Sequence, residues 1–169
     1  MNKLAVNREY FVRHAFVALL MAGLGCWFGY DGFAGYPNSD PAALYESIEG
    51  APPQEGTDLE AFKRQKIQSQ IGFMSLCFVA SVWIVLGLLA SARFRFEWDE
   101  NGFVAGGRRF AYGDILSADR SQWAKKQILF LRLGKQVVKL DAWHHRGVKE
   151  FEELLGKIEN GKTRWEKIP

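Results

Sequence analysis

The chain is poor in the residues from which small proteins build cross-linked or metal-held frameworks. It has two cysteines and three histidines in 169 residues. A disulfide framework or a zinc site needs more ligands of these types than the sequence places together. The adjacent histidines, His144 and His145, would point apart on a regular element, so metal binding would need ligands from elsewhere. We therefore expect neither a metal nor any other cofactor.

Recognisable catalytic motifs are also lacking. No Ser/His/Asp or Cys/His set stands out in the sequence. The glycine-rich stretch at residues 102–109 lacks the Lys-Ser/Thr of a P-loop and the spacing of a dinucleotide fingerprint. Chain turns account better for those glycines. We expect the protein not to be an enzyme and to have no nucleic-acid partner.

Charge is missing from two long apolar runs. Residues 71–92 carry no acidic or basic side chain, and residues 10–30 carry only Arg13 and His14, both near the start of the run. Each run approaches the ~20 residues that cross a hydrocarbon core about 30 Å thick. Arg13 and His14 can extend toward the headgroups. The sequence therefore predicts two transmembrane helices, arranged as a helical hairpin.

The first run also fits a cleaved signal sequence. A basic leader precedes an apolar stretch of suitable length, and Cys26 invites a lipoprotein cleavage site. That signal normally has leucine three residues before the cysteine, where this chain has Gly23. The run also continues past Cys26 through Trp27 and Phe28. A retained helix is the favoured interpretation.

Lysine and arginine near the ends of the runs predict the orientation. The intervening loop, residues 31–70, holds seven acidic and three basic residues, whereas residues 93–169 hold sixteen basic and eleven acidic residues. Both termini are therefore predicted to be cytoplasmic and the loop external. Lys63, Arg64 and Lys66 lie just before the second run and favour the opposite orientation.

The loop carries signals for two helix starts. Asp40 and Pro41 predict an N-cap and a first helical residue, and Gly50 closes that short helix. Thr57 and Glu60 form a predicted capping box. We expect the helix that begins there to continue unbroken into the second apolar run.

Small residues recur along the first run at spacings of three and four, which places them on one helix face. Small side chains let helices approach closely in lipid. The partner is either the second run, where Gly72, Ala80 and Gly87 would answer, or another subunit. The predicted helix-packing residues are Ala15, Ala18, Ala22, Gly25 and Gly29.

After residue 92 the apolar pattern changes from continuous to alternating. Phe94, Phe96 and Trp98 predict a half-buried strand, and Asn101-Gly102 predicts the hairpin turn that follows it. Further turn signals divide the sequence into six short strands, the fourth over residues 115–123. We predict an antiparallel meander that curls into a sandwich or partial barrel.

A final amphipathic helix is predicted to close this β-rich domain. Val148, Phe151 and Leu155 fall on one of its faces, and Asn160-Gly161 ends it. The predicted regions are a two-helix transmembrane region at residues 1–91 with an external loop at 31–70, a cytoplasmic β-rich domain at 92–161, and a basic tail at 162–169.

An antiparallel meander capped by one C-terminal helix resembles the pleckstrin-homology-like (PH-like) fold, especially its short bacterial membrane-attached versions. The resemblance covers about residues 93–158 and rests on element order and on the run at residues 138–143 followed by the final helix. It implies a multi-pass protein of the bacterial cytoplasmic (inner) membrane whose PH-like module serves interaction or oligomerisation. Many eukaryotic members bind phosphoinositides through a basic first hairpin, but here that hairpin, residues 99–102, is acidic.

These features favour a non-enzymatic membrane-anchored scaffold, such as an accessory subunit of a larger membrane complex, that binds a protein partner or itself. The alternative is a peripheral sensor of anionic lipid, since each basic residue near such a surface contributes about 1 kcal/mol. Membrane lipid is an expected partner in both cases. The candidate lipid or partner contacts are Arg108, Arg109, Lys125, Lys126, Arg164 and Trp165.

Overall fold

The computed structural model describes residues 2–162. It divides the chain into two compact units, of which one joins residues 2–12 to residues 88–162 and the other comprises residues 13–87. The second unit is helical, and two of its helices continue into the first. The helices of this part of the chain are α1 (Arg8–Tyr30), α2 (Tyr36–Asn38), α3 (Pro41–Glu49) and α4 (Leu59–Arg93).

The two predicted long apolar helices are confirmed. A π-helical turn at Asp31–Gly35 joins α1 to α2, so helical structure extends over Arg8–Asn38. α4 runs through 35 residues without a break, as expected, and is therefore about 50 Å long. By length and composition, both helices could cross a membrane.

The helix starts in the loop follow the sequence signals, with one correction. The Asp40 carboxylate accepts two backbone N–H groups at 3.0 Å at the start of α3, and Gly50 closes that helix with φ 73°. At the start of α4, however, the carboxylate of Asp58 accepts the N–H of Ala61 at 2.9 Å. The predicted capping box at Thr57 is wrong by one residue, because the aspartate next to it takes the cap position.

The other unit is sheet-rich, and its strands are antiparallel. Its elements are β1 (Asn2–Lys3), β2 (Ala5–Val6), β3 (Phe96–Asp99), β4 (Gly102–Ala105), β5 (Arg108–Phe110), β6 (Ser117–Asp119), α5 (Trp123–Lys126), β7 (Ile128–Leu133), β8 (Gln136–Asp141), β9 (His145–Arg146) and α6 (Val148–Lys157). The strands form a four-stranded sheet of order β1-β3-β4-β5, a pair β2-β9 and a three-stranded sheet β6-β7-β8. A 3₁₀ turn at Tyr112–Asp114 and a π-helical turn at Ile158–Lys162 complete the unit.

The antiparallel strands and the C-terminal helix are confirmed, although several boundaries differ. The strand expected over residues 115–123 is only β6, because the Asp119 carboxylate accepts the N–H of Ser121 at 2.8 Å and turns the chain toward α5. α6 begins at the predicted Val148. The helical path does not stop at Asn160-Gly161 but continues to Lys162.

The first hairpin also turns one residue earlier than expected. Asp99 pairs with Gly102, so the two-residue loop is Glu100-Asn101 and Gly102 opens β4. Gly102 has φ 150°, and a Cβ at this position would overlap the carbonyl oxygen of Phe110. Glycine is therefore required here by the close approach of the neighbouring strand.

Residues 2–6, at the start of the chain, complete the sheet-rich unit. Asn2 and Lys3 pair with β3, and Ala5 and Val6 pair with β9. Between them, the N–H of Leu4 donates to the carbonyl of Phe96 at 2.9 Å, and the Leu4 side chain packs against the core. The unit is thus assembled from both ends of the sequence.

The core of the sheet-rich unit is centred on Phe151 of α6. This side chain is fully buried, and its ring meets those of Phe96 at 4.7 Å, Trp98 at 5.5 Å and Phe103 at 5.9 Å, all in edge-to-face geometry. Such aromatic pairs contribute roughly 0.5–1.5 kcal/mol beyond the burial of their area. α6 therefore closes the core rather than lying beside it.

Candidate functional site

The predicted seam of small residues on α1 faces α4. A Cβ added at Gly25 would lie 3.2 Å from the ring of Phe78, and one at Gly29 would lie 3.2 Å from the sulfur of Met74. Those distances leave little room for a larger side chain. The structure thus places this part of the seam against the second apolar helix of the same chain.

The remaining seam residues differ in burial. Ala18 is buried, Ala22 is half-buried, and Ala15 is exposed. The hydroxyl of Ser81 on α4 donates to the carbonyl of Ala18 at 2.9 Å, in a buried position between the helices. The sequence analysis did not single out Ser81, because the same run also contains Ser75 and Ser91. Sequence alone does not distinguish Ser81 from Ser75, whose hydroxyl donates to its own helix.

The small residues of the second apolar run, which were expected to pack against the seam, do so only in part. A Cβ at Gly72 or at Gly87 would meet nothing within 4 Å, whereas Ala80 is half-buried. Larger side chains fill the space instead, as at Gly32, where a Cβ would lie 3.1 Å from Ile71. Bulky groups on α4 enter the notches that glycines leave on the facing helix, which gives more contact than two small faces would.

Both lysines of the basic cluster that favours the opposite orientation bind groups of the loop region. The ammonium of Lys63 donates to the carbonyls of Pro37 at 2.9 Å and Ser39 at 2.7 Å, where α2 ends. The ammonium of Lys66 lies 3.6 Å from a carboxylate oxygen of Glu49. A cation at a helix C-terminus is favourable, because unpaired carbonyls concentrate there. These lysines therefore have a structural use in the loop.

In the sheet-rich unit, the first turn of α1 is tied to the turn between β8 and β9. The side-chain amide of Asn7 donates to the carbonyl of Trp143 at 2.9 Å, and its backbone N–H donates to the carbonyl of His144 at 2.9 Å. The carbonyl of Asn7 in turn accepts the N–H of Phe11, so Asn7 caps α1. One residue thus joins a helix start to a strand turn.

The same turn holds the last residues of α4. The Nε2 atom of the buried His145 lies 3.0 Å from the carbonyl oxygen of Ser91, and it must donate because a carbonyl only accepts. The hydroxyl of Ser91 lies 3.4 Å from Nδ1 of His144, whose ring packs 4.4 Å from that of Tyr10. The two histidines therefore connect helix ends, and residues 2–162 hold no group of three potential metal ligands.

Two of the predicted basic contact residues lie on β5. Arg108 and Arg109 are both exposed, but the guanidinium of Arg109 pairs with both carboxylate oxygens of Asp99, at 2.9 and 3.0 Å. The N–H of Asn101 and then Arg109 hold the pKa of Asp99 below its usual value. The acidic first hairpin thus neutralises one of the arginines expected to face lipid.

The other predicted contact residues lie elsewhere. Lys125 and Lys126 are exposed on α5, which connects the strands of the three-stranded sheet. The two basic pairs therefore occupy separate elements, on β5 and on α5. Arg164 and Trp165 lie outside the described residues.

Tyr112 fastens the 3₁₀ turn to the first hairpin. Its hydroxyl donates to the carbonyl of Asp99 at 2.7 Å. Burial, with the negative charge of Asp99 adding to it, raises the pKa of Tyr112 to about 12. The phenol is thus a neutral structural donor under physiological conditions.

An ion-pair cluster joins the chain after β6 to the final helix. Arg120 lies 2.9 Å from a carboxylate oxygen of Glu152 and 3.0 Å from one of Glu159. Burial alone would lower the pKa of Arg120, but its hydrogen bonds and the charges of the two glutamates raise it. This arrangement fixes α6 and the turn that follows it.

An open depression of about 330 Å³ lies between α5 and α6. It contains an indole, an amide, two carboxylates and one ammonium, so charges of both signs share its wall. That mixture favours no particular ligand charge. The lining residues are Trp123, Ala124, Gln127, Lys149, Glu152 and Glu153.

The outward face of the three-stranded sheet carries apolar and charged groups together, and it is not purely basic: Asp119 lies opposite Phe130, and the ammonium of Lys139 lies 3.1 Å from a carboxylate oxygen of Asp141. Arg132 pairs with Val137, and Phe130 pairs with Lys139, so the four side chains form two adjacent cross-strand rows. Val137 is 58% exposed and Phe130 is half-buried. We call these four residues the outer sheet face. Sequence reasoning did not single them out, because alternation alone does not distinguish a solvated face from an interaction face.

No protein-family model, curated protein or solved structure matches this chain. The PH-like resemblance therefore depends on element order and sequence pattern.

Proposed function

We propose that this chain is a non-enzymatic, membrane-anchored interaction protein. In this proposal α1 and α4 cross a bacterial inner membrane, and the sheet-rich unit is a PH-like module on the cytoplasmic side that binds a protein partner or a second copy of the chain. The observation that carries the proposal is the pairing of residues 2–6 with strands that follow α4.

That pairing supports the topology. Asn2 lies opposite Trp98 and Ala5 opposite Arg146, so the start of the chain and the module belong to one folded unit. A folded unit lies on one side of a membrane. The chain leaves this unit after residue 12 and returns to it at residue 88, so α1 and α4 together must cross the membrane out and back. The basic charge of both ends favours the cytoplasm as that side.

The same contacts support an anchoring role. The start of α1 contacts the module through Asn7, and the end of α4 contacts it through His145. Both contacts lie within the sheet-rich unit and hold its turn between β8 and β9 in one conformation. A preformed unit of this kind lowers the entropic cost of binding.

The outer sheet face supplies a surface suited to a protein. An exposed Val137 and a half-buried Phe130 lie beside the exposed Arg132, while the neighbouring Lys139 is paired with Asp141. Apolar anchors with an arginine are typical of interaction surfaces, whose rims are polar. The alternative role as a lipid sensor has less support, because the two basic pairs lie on separate elements and Arg109 is paired with Asp99.

A photo-crosslinking amino acid at position 137 of the full chain tests this proposal in native membranes. We expect a discrete adduct whose mass identifies either a second copy or another protein. The same amino acid at Glu153, which is exposed on α6, is the matched control and should give no such adduct.

A second variant tests the surface itself. Phe130→Asp should abolish the adduct at position 137, because a charge in the middle of the face cannot enter an apolar contact. The proposal fails if position 137 gives no adduct, or if Phe130→Asp leaves the adduct unchanged while the module remains folded.

A further inference from the structure

Trp143 exposes a large apolar side chain from a rigid position. It is 62% exposed and lies in the turn between β8 and β9. Its backbone N–H donates to the carboxylate of Asp141 at 3.0 Å, and its carbonyl accepts the amide of Asn7 at 2.9 Å. The backbone is therefore held on both sides, while most of the indole has no protein cover.

The position of this turn indicates what covers the indole. Asn7 caps α1, and the next residues of the turn, His144 and His145, reach Ser91 near the end of α4. The apolar runs begin near residue 10 and end near residue 92. The turn thus lies beside the points where the chain enters and leaves the membrane, under the proposed function.

We infer that Trp143 inserts into the headgroup layer of the membrane in which α1 and α4 are anchored. Tryptophan favours this layer because its ring is apolar and its N–H is polar. Arg146 is exposed on β9, opposite Ala5, and supplies a cation for lipid phosphate close to the same turn. This inference rests on the proposed membrane anchoring, and the occupant of the surface is the lipid itself.

A reference position lies at the other end of β8. Trp143 follows the end of this six-residue strand, whereas Lys135 lies in the turn that precedes it. The strand separates the two turns by roughly 17–20 Å. Lys135 is exposed and charged, so it serves as the water-exposed reference for Trp143.

Spin labels on the full chain in anionic phospholipid nanodiscs test the inference. Single cysteines are placed at W143C, at K135C and at L86C, the last within α4, in a chain lacking Cys26 and Cys77. Accessibility to oxygen and to a water-soluble nickel chelate then reports depth. We expect the oxygen-to-nickel ratio at W143C to be several-fold higher than at K135C and lower than at L86C.

The control positions separate the two claims. An L86C label that is as water-accessible as K135C would overturn the membrane anchoring itself. A membrane-embedded L86C label with a W143C label equal to K135C would overturn only the insertion of Trp143. A W143C label shielded from both oxygen and nickel would show protein cover at this turn and would also overturn it.

Fluorescence provides a measurement that needs no cysteine. Lipids brominated near the headgroup should quench wild type more strongly than W143F, because the variant lacks one indole at that depth. Equal quenching of the two folded proteins would contradict the inference.

Discussion

The two compact units of the chain are stabilised in different ways. The sheet-rich unit surrounds Phe151 with the rings of Phe96 and Trp98, so its stability comes from removing large apolar groups from water. In the helical unit, Gly25 receives the ring of Phe78. If lipid surrounds that unit, moving an apolar side chain from lipid into the helix interface contributes little free energy. Close packing must then hold the helices together. Shrinking a side chain should therefore damage the first unit, and enlarging one should damage the second.

The largest effect is expected from Phe151→Ala. Removing this fully buried ring leaves a cavity under α6 and should cost about 3–5 kcal/mol of unfolding free energy in the sheet-rich unit. Denaturant unfolding of the full chain in mild detergent measures it. Lys157→Ala, on an exposed position of the same helix, should change stability little. A Phe151→Ala midpoint equal to that of the control would show that α6 does not close the core.

The converse test enlarges the helical seam. Gly25→Leu should force the Phe78 ring out of its notch and cost about 1–3 kcal/mol of helix packing. Gly23→Leu is a matched control, because a Cβ there meets nothing within 4 Å. Disulfide crosslinking between cysteines at positions 18 and 81 reports the separation of the helices. Replacing Ala22 together with Gly25 by leucine should strengthen the effect, and equal crosslinking in all variants would place the seam against lipid.

Alkaline pH should act on the sheet-rich unit through Tyr112. The folded pKa of about 12 lies above the ordinary value of 10, so the stabilisation is complete below pH 10 and is lost as the pH rises through 12. The difference of two pKa units sets an upper bound of about 3 kcal/mol on this loss. Melting temperatures should fall more steeply between pH 10 and 12 in wild type than in Tyr112→Phe, which cannot ionise. Parallel curves would contradict the assignment.

The smallest effect is expected from Ser81→Ala. The hydroxyl donates between helices, and such bonds in membranes contribute about 0.6 kcal/mol. Ser75→Ala is the matched control, because that hydroxyl donates within its own helix. Disulfide crosslinking between cysteines at positions 29 and 74, which face each other across the two helices, should weaken slightly for Ser81→Ala only. A larger loss for Ser75→Ala would contradict the assigned interface.

Local signals in the sequence predicted much of the fold, because their causes are local. Asp40, Pro41 and Gly50 each act on backbone groups within a few residues, and the predicted helix has those ends. The periodic apolar residues of α6 likewise predicted its start at Val148. The paired glycines 106–107 and the turn at 134–135 correctly separated strands, since both turns need positive φ.

Features that depend on distant residues could not be predicted in this way. The strands at residues 2–6 are only two residues long each, and their partners lie some ninety or more positions away. The partner of the glycine seam was also undetermined, because Phe78 and Met74 resemble any other apolar residue of a span. Trp143 carried no signal until the structure placed it beside two helix ends. Of the predicted seam, Ala18, Gly25 and Gly29 lie against α4, whereas Ala15 is exposed, and the predicted basic contacts lie on separate elements.

Topology tests the account most directly, because every functional argument depends on both chain ends lying on one side of a membrane crossed twice. Single cysteines at Gln54, in the connection between α3 and α4, and at Lys135, in the module, are labelled with an impermeant maleimide in spheroplasts of a strain producing the chain without Cys26 and Cys77. Both positions are exposed. The account predicts labelling at position 54 in intact spheroplasts and at position 135 only after lysis. Labelling at position 135 but not at position 54 before lysis, or equal labelling at both, would contradict it.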